Sequence, residues 1–292
     1  MGKQHRRGMM GTMEERGLEW MPYLIVVVFI IVFLFLIYIR KLLGKEEERS
    51  GIRIGNGQTI GRRDEQDDYF STVTTLHGTI AVLADGISGL ANGRIASTIA
   101  VDIFIKKFLE LNHVNDIPHF FTEASRLSNT EIIRSLKGAN GGTTLVVAVI
   151  SDGYLYWGAV GDSLIMIFRD NEFININHKH ILESVLEERY LTGEITKYEA
   201  LDNPMKNRLI NYLGYEGFKN IEIYKTPIAL NKGDKIILCS DGVYNSVTEI
   251  ELEKILSKNI SPYDAAQEII EAVNDKRLKN QDNATIIVLE NG

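Results

Sequence analysis

One segment of this chain has no hydrophobic rhythm at all, and the rest alternates between a period of two and a period near 3.6. Residues 20–41, WMPYLIVVVFIIVFLFLIYIRK, carry no charge until Arg40, and a helix that is apolar on every face belongs in lipid or deep inside a core. About twenty residues rising about 1.5 Å each match the roughly 30 Å of a bilayer interior. Trp20 and Tyr23 suit one interface, and Tyr38, Arg40 and Lys41 the other. The run is too long for a cleavable signal peptide, and no small-residue cleavage pattern follows it. A transmembrane helix is therefore expected at 22–41, after an N-terminal tail at 1–21 and before a juxtamembrane linker at 42–50. The charged, glycine-bearing stretch 45–58 reads as a short juxtamembrane linker, and the folded domain should begin near Gly51 and run to 292. Lys3, Arg6, Arg7 and Arg16 precede the span and Arg40, Lys41, Lys45 and Arg49 follow it, so basic residues do not orient it.

Within 51–292 the two rhythms mix. DDYFSTVTTLHGTIAVLADG predicts two strands joined by a turn, and GRIASTIAVDIFIKKFLELN has its apolar residues at helical spacing. A second helix is expected over residues 118–137. TTLVVAVISDGYLYWGAVGDSLIMIFRD reads as three strands in a β-meander, broken at Ser-Asp-Gly and at Val-Gly-Asp-Ser. Residues 177–217 turn polar and helix-friendly, which predicts an inserted helical subdomain. Strands return in IEIYKTPIAL and KIILCSDG, a helix in SPYDAAQEIIEAVNDKR and a last strand in ATIIVLE. Strand pairs interleaved with long helices imply an α+β domain with helices packed on sheets.

Composition narrows the class. The 292 residues are 45% hydrophobic with a formal net charge of −7, enough for a substantial core. No basic stripe interleaved with aromatics is present, so nucleic acid is not an expected partner. Cys239 is the single cysteine, which forms no internal disulfide and suits a reducing compartment.

The candidate chemistry lies where acids meet strand ends. Ser-Asp-Gly occurs twice. Around Asp152 both flanks are strand, and a tight hairpin turn is a sufficient explanation. Around Asp241 a strand ends but a loop and helix follow, and Asp85-Gly86 has the same setting. Each alone is most simply a turn. Asp67 and Asp68 precede another strand, however, and Asp282 the last one. Five such carboxylates converging at one end of a sandwich cannot all stay ionised without cations. An all-oxygen set selects Mg²⁺ or Mn²⁺ over zinc. His178 and His180 in NHKH have no Cys or paired acid nearby in sequence and read as surface or packing residues. Cys239 reads as a buried apolar residue, and Thr143 and Thr144 as hydrogen-bonding support beneath the site.

The order GRRDEQDD, LADGISG, GGTT, AVGDS, CSDG and QDNAT, with NPMKNRLINYLG between, resembles the metal-dependent serine/threonine protein phosphatases of the PP2C (PPM) family, over most of the chain from Gly51. The resemblance implies a central β-sandwich of two antiparallel sheets flanked by helices, with two Mn²⁺ or Mg²⁺ ions in a cleft at one end and a flap at about 177–217. By position, Asp85 resembles the aspartate bridging both ions and Gly86 the residue whose carbonyl touches one. Asp241 and Asp282 resemble the remaining ligands. Asp67 and Asp68 match a Glu-Asp pair acting largely through water, and Arg63 the arginine that grips the substrate phosphate. Asp162 resembles a ligand of a third, weaker ion.

Several positions depart from that pattern. Asp67 stands where glutamate is usual and Leu164 where arginine is common. Asn245 replaces the aspartate that would share the third ion with Asp162. Ile87 replaces the histidine of many eukaryotic members, which points to a bacterial type. The resemblance implies a protein phosphatase acting on phosphorylated Ser/Thr proteins, a membrane kinase or its substrates among them. It would be a single-pass protein of the cell membrane, with its catalytic domain in the cytoplasm. Two other readings stay open at this point: an enzyme for one phosphorylated regulator, and a catalytically silent binding module of the same fold.

Overall fold

The computed structural model describes residues 21–47, 51–87 and 92–292, which divide into two compact units, Met1–Ser50 and Gly51–Gly292. In the first, α1 (Met21–Glu47) is one helix of 27 residues. It continues through residues 42–47, which the sequence suggested as linker. The expected tail at 1–21 lies outside the described residues except for Met21, which begins α1, and residues 48–50 lie outside them too. Side chains are described on α1 from 23 to 39, and those from 23 to 38 are exposed, including Phe29, Phe33 and Phe35. Among the described residues no helix is long and apolar enough to cross a membrane.

The second unit holds two antiparallel sheets. One runs β1 (Ile52–Thr59), β11 (Ala284–Asn291), β10 (Lys235–Cys239), β6 (Leu164–Arg169), β7 (Glu172–Asn175). The other runs β2 (Tyr69–Thr75), β3 (Gly78–Ala84), β4 (Leu145–Ser151), β5 (Tyr154–Val160), β8 (Glu222–Ile223), with β9 (Ile228–Ala229) also on β5. Helices α2 (Gly93–Leu109) and α3 (Ile117–Leu136) follow β3 in the chain, α2 packing on the second sheet and α3 on α2. In the C-terminal part, α8 (Pro262–Asp275) packs on β1 and β11 and touches α7 (Glu249–Leu256). Of the inserted segment, α4 (Leu182–Leu191) and α5 (Lys197–Leu201) are helical.

The apolar runs of β10 and β11 are continuous because both of their faces are buried. Ile236, Leu238, Ile287 and Leu289 join the core between the sheets, whereas Ile237, Cys239, Ile286 and Val288 join the layer beneath α8. That helix answers with Ala265, Ala266, Ile269, Ile270 and Val273 at helical spacing. Fully burying each large aliphatic side chain contributes about 1.5–3 kcal/mol.

Two expectations need correction. Residues 52–58 are strand, not linker. Glycines in IRIGNGQT gave the segment a loop-like composition, but the space is what α8 requires: a Cβ on Gly55 would lie 2.1 Å from the carbonyl carbon of Pro262. The three strands from 145 to 169 do not form one meander. β4 and β5 are a hairpin whose turn residues Asp152 and Gly153 have φ of 50° and 78°, the left-handed pair of a type I′ turn. β6 leaves that sheet at Gly161 (φ 96°) and pairs with β10 in the other. Apolar periodicity specifies a strand but not which sheet receives it.

Candidate active site

The ends of four strands bring the acids together. Asp68 immediately precedes β2 and is 3% exposed. Its Oδ2 accepts hydrogen bonds from Ser240 Oγ at 2.8 Å and Thr285 Oγ1 at 2.7 Å. Ser240 Oγ in turn accepts from the backbone of Thr285, and Thr285 Oγ1 from Gln58 Nε2. These hydroxyls fix one carboxylate oxygen of Asp68, while the other, Oδ1, is buried without a hydrogen-bond partner. An ionised carboxylate placed so leaves a full acceptor unsatisfied, at a cost on the order of 1–3 kcal/mol or more.

Asp85 ends β3. Its backbone is held from three directions: its N–H donates to Thr144 Oγ1, and its carbonyl accepts from Thr144 N at 2.9 Å and Thr143 Oγ1 at 2.8 Å. Gly86 follows, donating its N–H to the carbonyl of Asp67. Asp241 starts a one-turn helix, α6 (Asp241–Tyr244), just beyond β10. Asp282 lies two residues before β11, and Arg63 Nη2 donates to its Oδ2 at 2.6 Å. Arg63 is thus at the rim of the acidic cluster, half-exposed.

The electrostatics follow from this crowding. Burial pushes Asp68 up to about 6 and Asp241 up to about 7, and Asp85 well above the usual carboxylate range. Neighbouring charges add to the burial: Asp85 is raised further by Asp68, Asp241, Asp162 and Asp282. The carboxyls of Asp68, Asp85 and Asp241 are close enough for each to influence the ionisation of the others. Two ionised carboxylates cannot bond each other, so each contact calls for a proton or a cation.

Among the described residues, no three His, Cys, Asp or Glu side chains are already closed into a metal cage. The residues nevertheless fit divalent cations. The donors are all oxygen, several are buried close together, and Asp68 Oδ1 is an acceptor with nothing to accept from. Asp68, Asp85, Asp241 and Asp282 are the natural holders, with the adjoining carbonyl of Gly86. Asp67 takes a different place: its Oδ1 accepts from the backbone N–H of Arg94 at the start of α2, at 3.0 Å, where a carboxylate complements the helix dipole. Asp162 is near enough to raise both Asp85 and Asp241.

Some contributors were not legible as such. Asn283 is buried, accepts from Asp67 N and donates to the carbonyls of Ile60 and Glu65, so it ties the Arg63 loop to β11. Lys179 places its ammonium 3.6 Å from the centre of the Tyr244 ring. Burial raises the Asp162 carboxyl, and the charge of Lys179 opposes that rise. His178 and His180 do have an acid partner, Glu222, which is 44 residues away in sequence from His178 and contacts it at 2.7 Å. No local pattern announces that pairing.

Gly242 sets the approach of Asp241 to Asp282. A Cβ there would lie 1.9 Å from the carbonyl oxygen of Asn283, so Gly242→Ala must drive β10 and β11 apart at their functional ends. The expected result is a loss of about 1–3 kcal/mol in urea unfolding, with a larger proportional loss of divalent-cation affinity by calorimetry.

The chain matches the family model described as Protein phosphatase 2C over residues 58–281. The Serine/threonine phosphatase stp of Listeria welshimeri is 31% identical over 218 residues, covering 72% of this chain and 84% of that protein. Protein phosphatase PhpP of Streptococcus pneumoniae is 27% identical over 236 residues, covering 78% and 92%. Among solved structures, the serine/threonine phosphatase of S. agalactiae superposes with a TM-score of 0.71 at 24% identity, over 82% of this chain and 99% of that one. Mycobacterium tuberculosis PstP/Ppp gives 0.68 at 24%, over 82% and 98%. With acids from four strand ends gathered between two antiparallel sheets and a match across most of its length, this chain belongs to the protein phosphatase 2C family and is a serine/threonine phosphatase.

Proposed function

We propose that this protein is a membrane-anchored phosphatase that removes phosphate from phosphoserine and phosphothreonine side chains using two Mg²⁺ or Mn²⁺ ions, with its catalytic domain in the cytoplasm. The observation that carries the catalytic part is the buried Oδ1 of Asp68, without a protein hydrogen-bond partner, among the acids that raise Asp68 and Asp241, an arrangement that suits cations. Phosphate-monoester dianions repel nucleophiles and hydrolyse extremely slowly unaided. Divalent ions supply Lewis-acid activation of water and neutralise phosphoryl charge. The chain's own residues position that chemistry. Thr143 and Thr144 fix the backbone of Asp85, Ser240 and Thr285 orient Asp68, and Arg63 can exchange Asp282 for the substrate phosphate as a planar, permanently charged fork. Asp162 feels the charge of the Lys179 ammonium, and Asn245 donates to Asp241 Oδ2 rather than offering a carboxylate, a setting that suits a third ion poorly.

The anchor is supported by the uninterrupted apolar run of residues 20–39 and by the helical backbone and outward-facing apolar side chains of α1. The single cysteine, buried and unpaired, favours the cytoplasm for the catalytic domain. Bilayer attachment would concentrate the enzyme near membrane kinases and their substrates.

Full-length protein in lipid vesicles tests both parts. Phosphothreonine-peptide hydrolysis should appear with Mn²⁺ and vanish in EDTA, and the protein should stay with the vesicles through alkaline carbonate washing. Turnover undiminished by EDTA would refute the cation role; release into the wash would refute the anchor.

A further inference from the structure

A cavity of about 320 Å³ opens between the C-terminal end of α3, the glycine-rich loop at 138–141 and the segment from Tyr212 to Glu216. Its wall is physically continuous with the active site. Leu213 exchanges two backbone hydrogen bonds with Thr143, at 2.9 and 3.0 Å, and Thr143 Oγ1 holds the carbonyl of Asp85. Gly142 bridges the two regions as well, accepting from Ile87 N at 3.0 Å while the Tyr212 ring packs over it. The cavity wall is therefore joined to the Asp85 loop through Thr143 and Gly142.

Its chemistry is specific. Tyr212 and Tyr215 stack with ring centres 5.1 Å apart and planes 23° from parallel, and among the lining residues Glu216 is the single charged one. Aromatic rings with a carboxylate in the lining, and no lysine or arginine there among the described residues, match a cation carried on an apolar stem. The volume suits one long side chain. Gly214 and Asn129 brace the segment: the Gly214 N–H donates to Asn129 Oδ1 at 2.7 Å, so the tyrosine pair is presented on a fixed backbone.

We infer that this cavity is a specificity subsite of the phosphatase, receiving a lysine or arginine side chain close in sequence to the phosphorylated serine or threonine of the substrate. The inference rests on the phosphatase reading of the neighbouring cluster and adds a preference for basic phosphopeptides. A net charge of −7 over the chain favours the same substrates at long range.

The test uses full-length protein and phosphothreonine peptides that differ only in arginine versus citrulline, its neutral isostere, at each of the three positions on either side. At one position arginine should be favoured about fivefold in kcat/KM, mainly through KM, the size expected of one partly exposed cation–aromatic contact with a carboxylate. Tyr215→Ala should reduce that ratio to below about twofold, and Glu216→Lys should bring it to one or invert it. Equal rates for arginine and citrulline at every position, or a preference that survives both substitutions, would overturn the subsite. Hydrolysis of p-nitrophenyl phosphate, too small to reach the cavity, reports separately on the reaction. Should that fail, anisotropy of the same labelled peptides on metal-free protein still reads the cavity. Tighter binding of the arginine peptide, lost in Glu216→Lys, supports the subsite; indifference there defeats it.

Discussion

Asp241→Asn should reduce the Mn²⁺-dependent kcat for a phosphothreonine peptide by about a thousandfold, while the same change at Asp152 leaves it within about twofold. Both aspartates stand in Ser-Asp-Gly after an apolar strand, so the pair isolates place from sequence. Asp152 is exposed at a hairpin turn with φ 50°, a conformation asparagine adopts readily. Asp241 is half-buried among four other acids, and burial with their repulsion holds it near 7. The amide is nearly isosteric, so α6 and its contacts persist. What disappears is one negative charge from the set that neutralises divalent cations, and a loss of about 4 kcal/mol in transition-state stabilisation corresponds to the thousandfold. The amide also relieves repulsion in the metal-free protein, so the variant should melt no lower than wild type in EDTA at pH 8. Lost activity with a retained or raised melting temperature distinguishes a ligand from a scaffold residue. Near-normal turnover in Asp241→Asn would remove this carboxylate from the reaction.

The contrast between the two Ser-Asp-Gly copies was legible in the chain, because their C-terminal flanks differ: YLYWGAV returns as a strand, while VYNSVTEIELEKIL does not. The strands and long helices were legible for the same reason, since burial on one or both faces imposes a period. β2, β3, α2 and α8 arise where that period predicts them. Gly55 and Gly57 hid β1, because in a strand a glycine reads as a break unless one knows that a helix presses on it. β6 changed sheets at a single positive-φ glycine, for which neighbouring residues carry no signal. The site was legible as a list of acids and not as a geometry. Asp67 turning to the start of α2, Arg63 resting on Asp282 and Asn283 lashing two loops together all depend on partners separated by 27 to 219 residues. Glu222 between the two histidines is of the same kind. Such contacts are decided by how the sheets close, and no window of sequence contains both partners.

Metal-free protein should melt progressively lower as pH rises from about 4 to 8, and Mn²⁺ should reverse that slope. In the unfolded chain these aspartates ionise near 3.8; folded, Asp68 does so at about 6 and Asp241 at about 7, with Asp85 also raised well above the usual carboxylate range. Between those values the folded state binds more protons than the unfolded one, so stability is greatest at the acid end and is lost as pH climbs through the folded values. Asp68 alone accounts for a change on the order of 3 kcal/mol, and because the three share protons their contributions do not add. Glu251, lowered to about 2 by Lys276 and the Thr248 cap, and Glu199, also lowered, act in the opposite sense, but below about pH 4.5. They leave the higher window to the aspartates. A cation that binds the ionised cluster displaces the extra protons, so the stabilisation by Mn²⁺ should itself grow with pH. A melting curve in EDTA that rises or stays flat between pH 5 and 8 would mean the aspartates are not held together in the folded protein. The predicted divergence of the two curves, with little Mn²⁺ effect near pH 5 and a large one near pH 8, ties the fold directly to the reaction. The crowding that strains the empty sandwich is the source of its affinity for the ions.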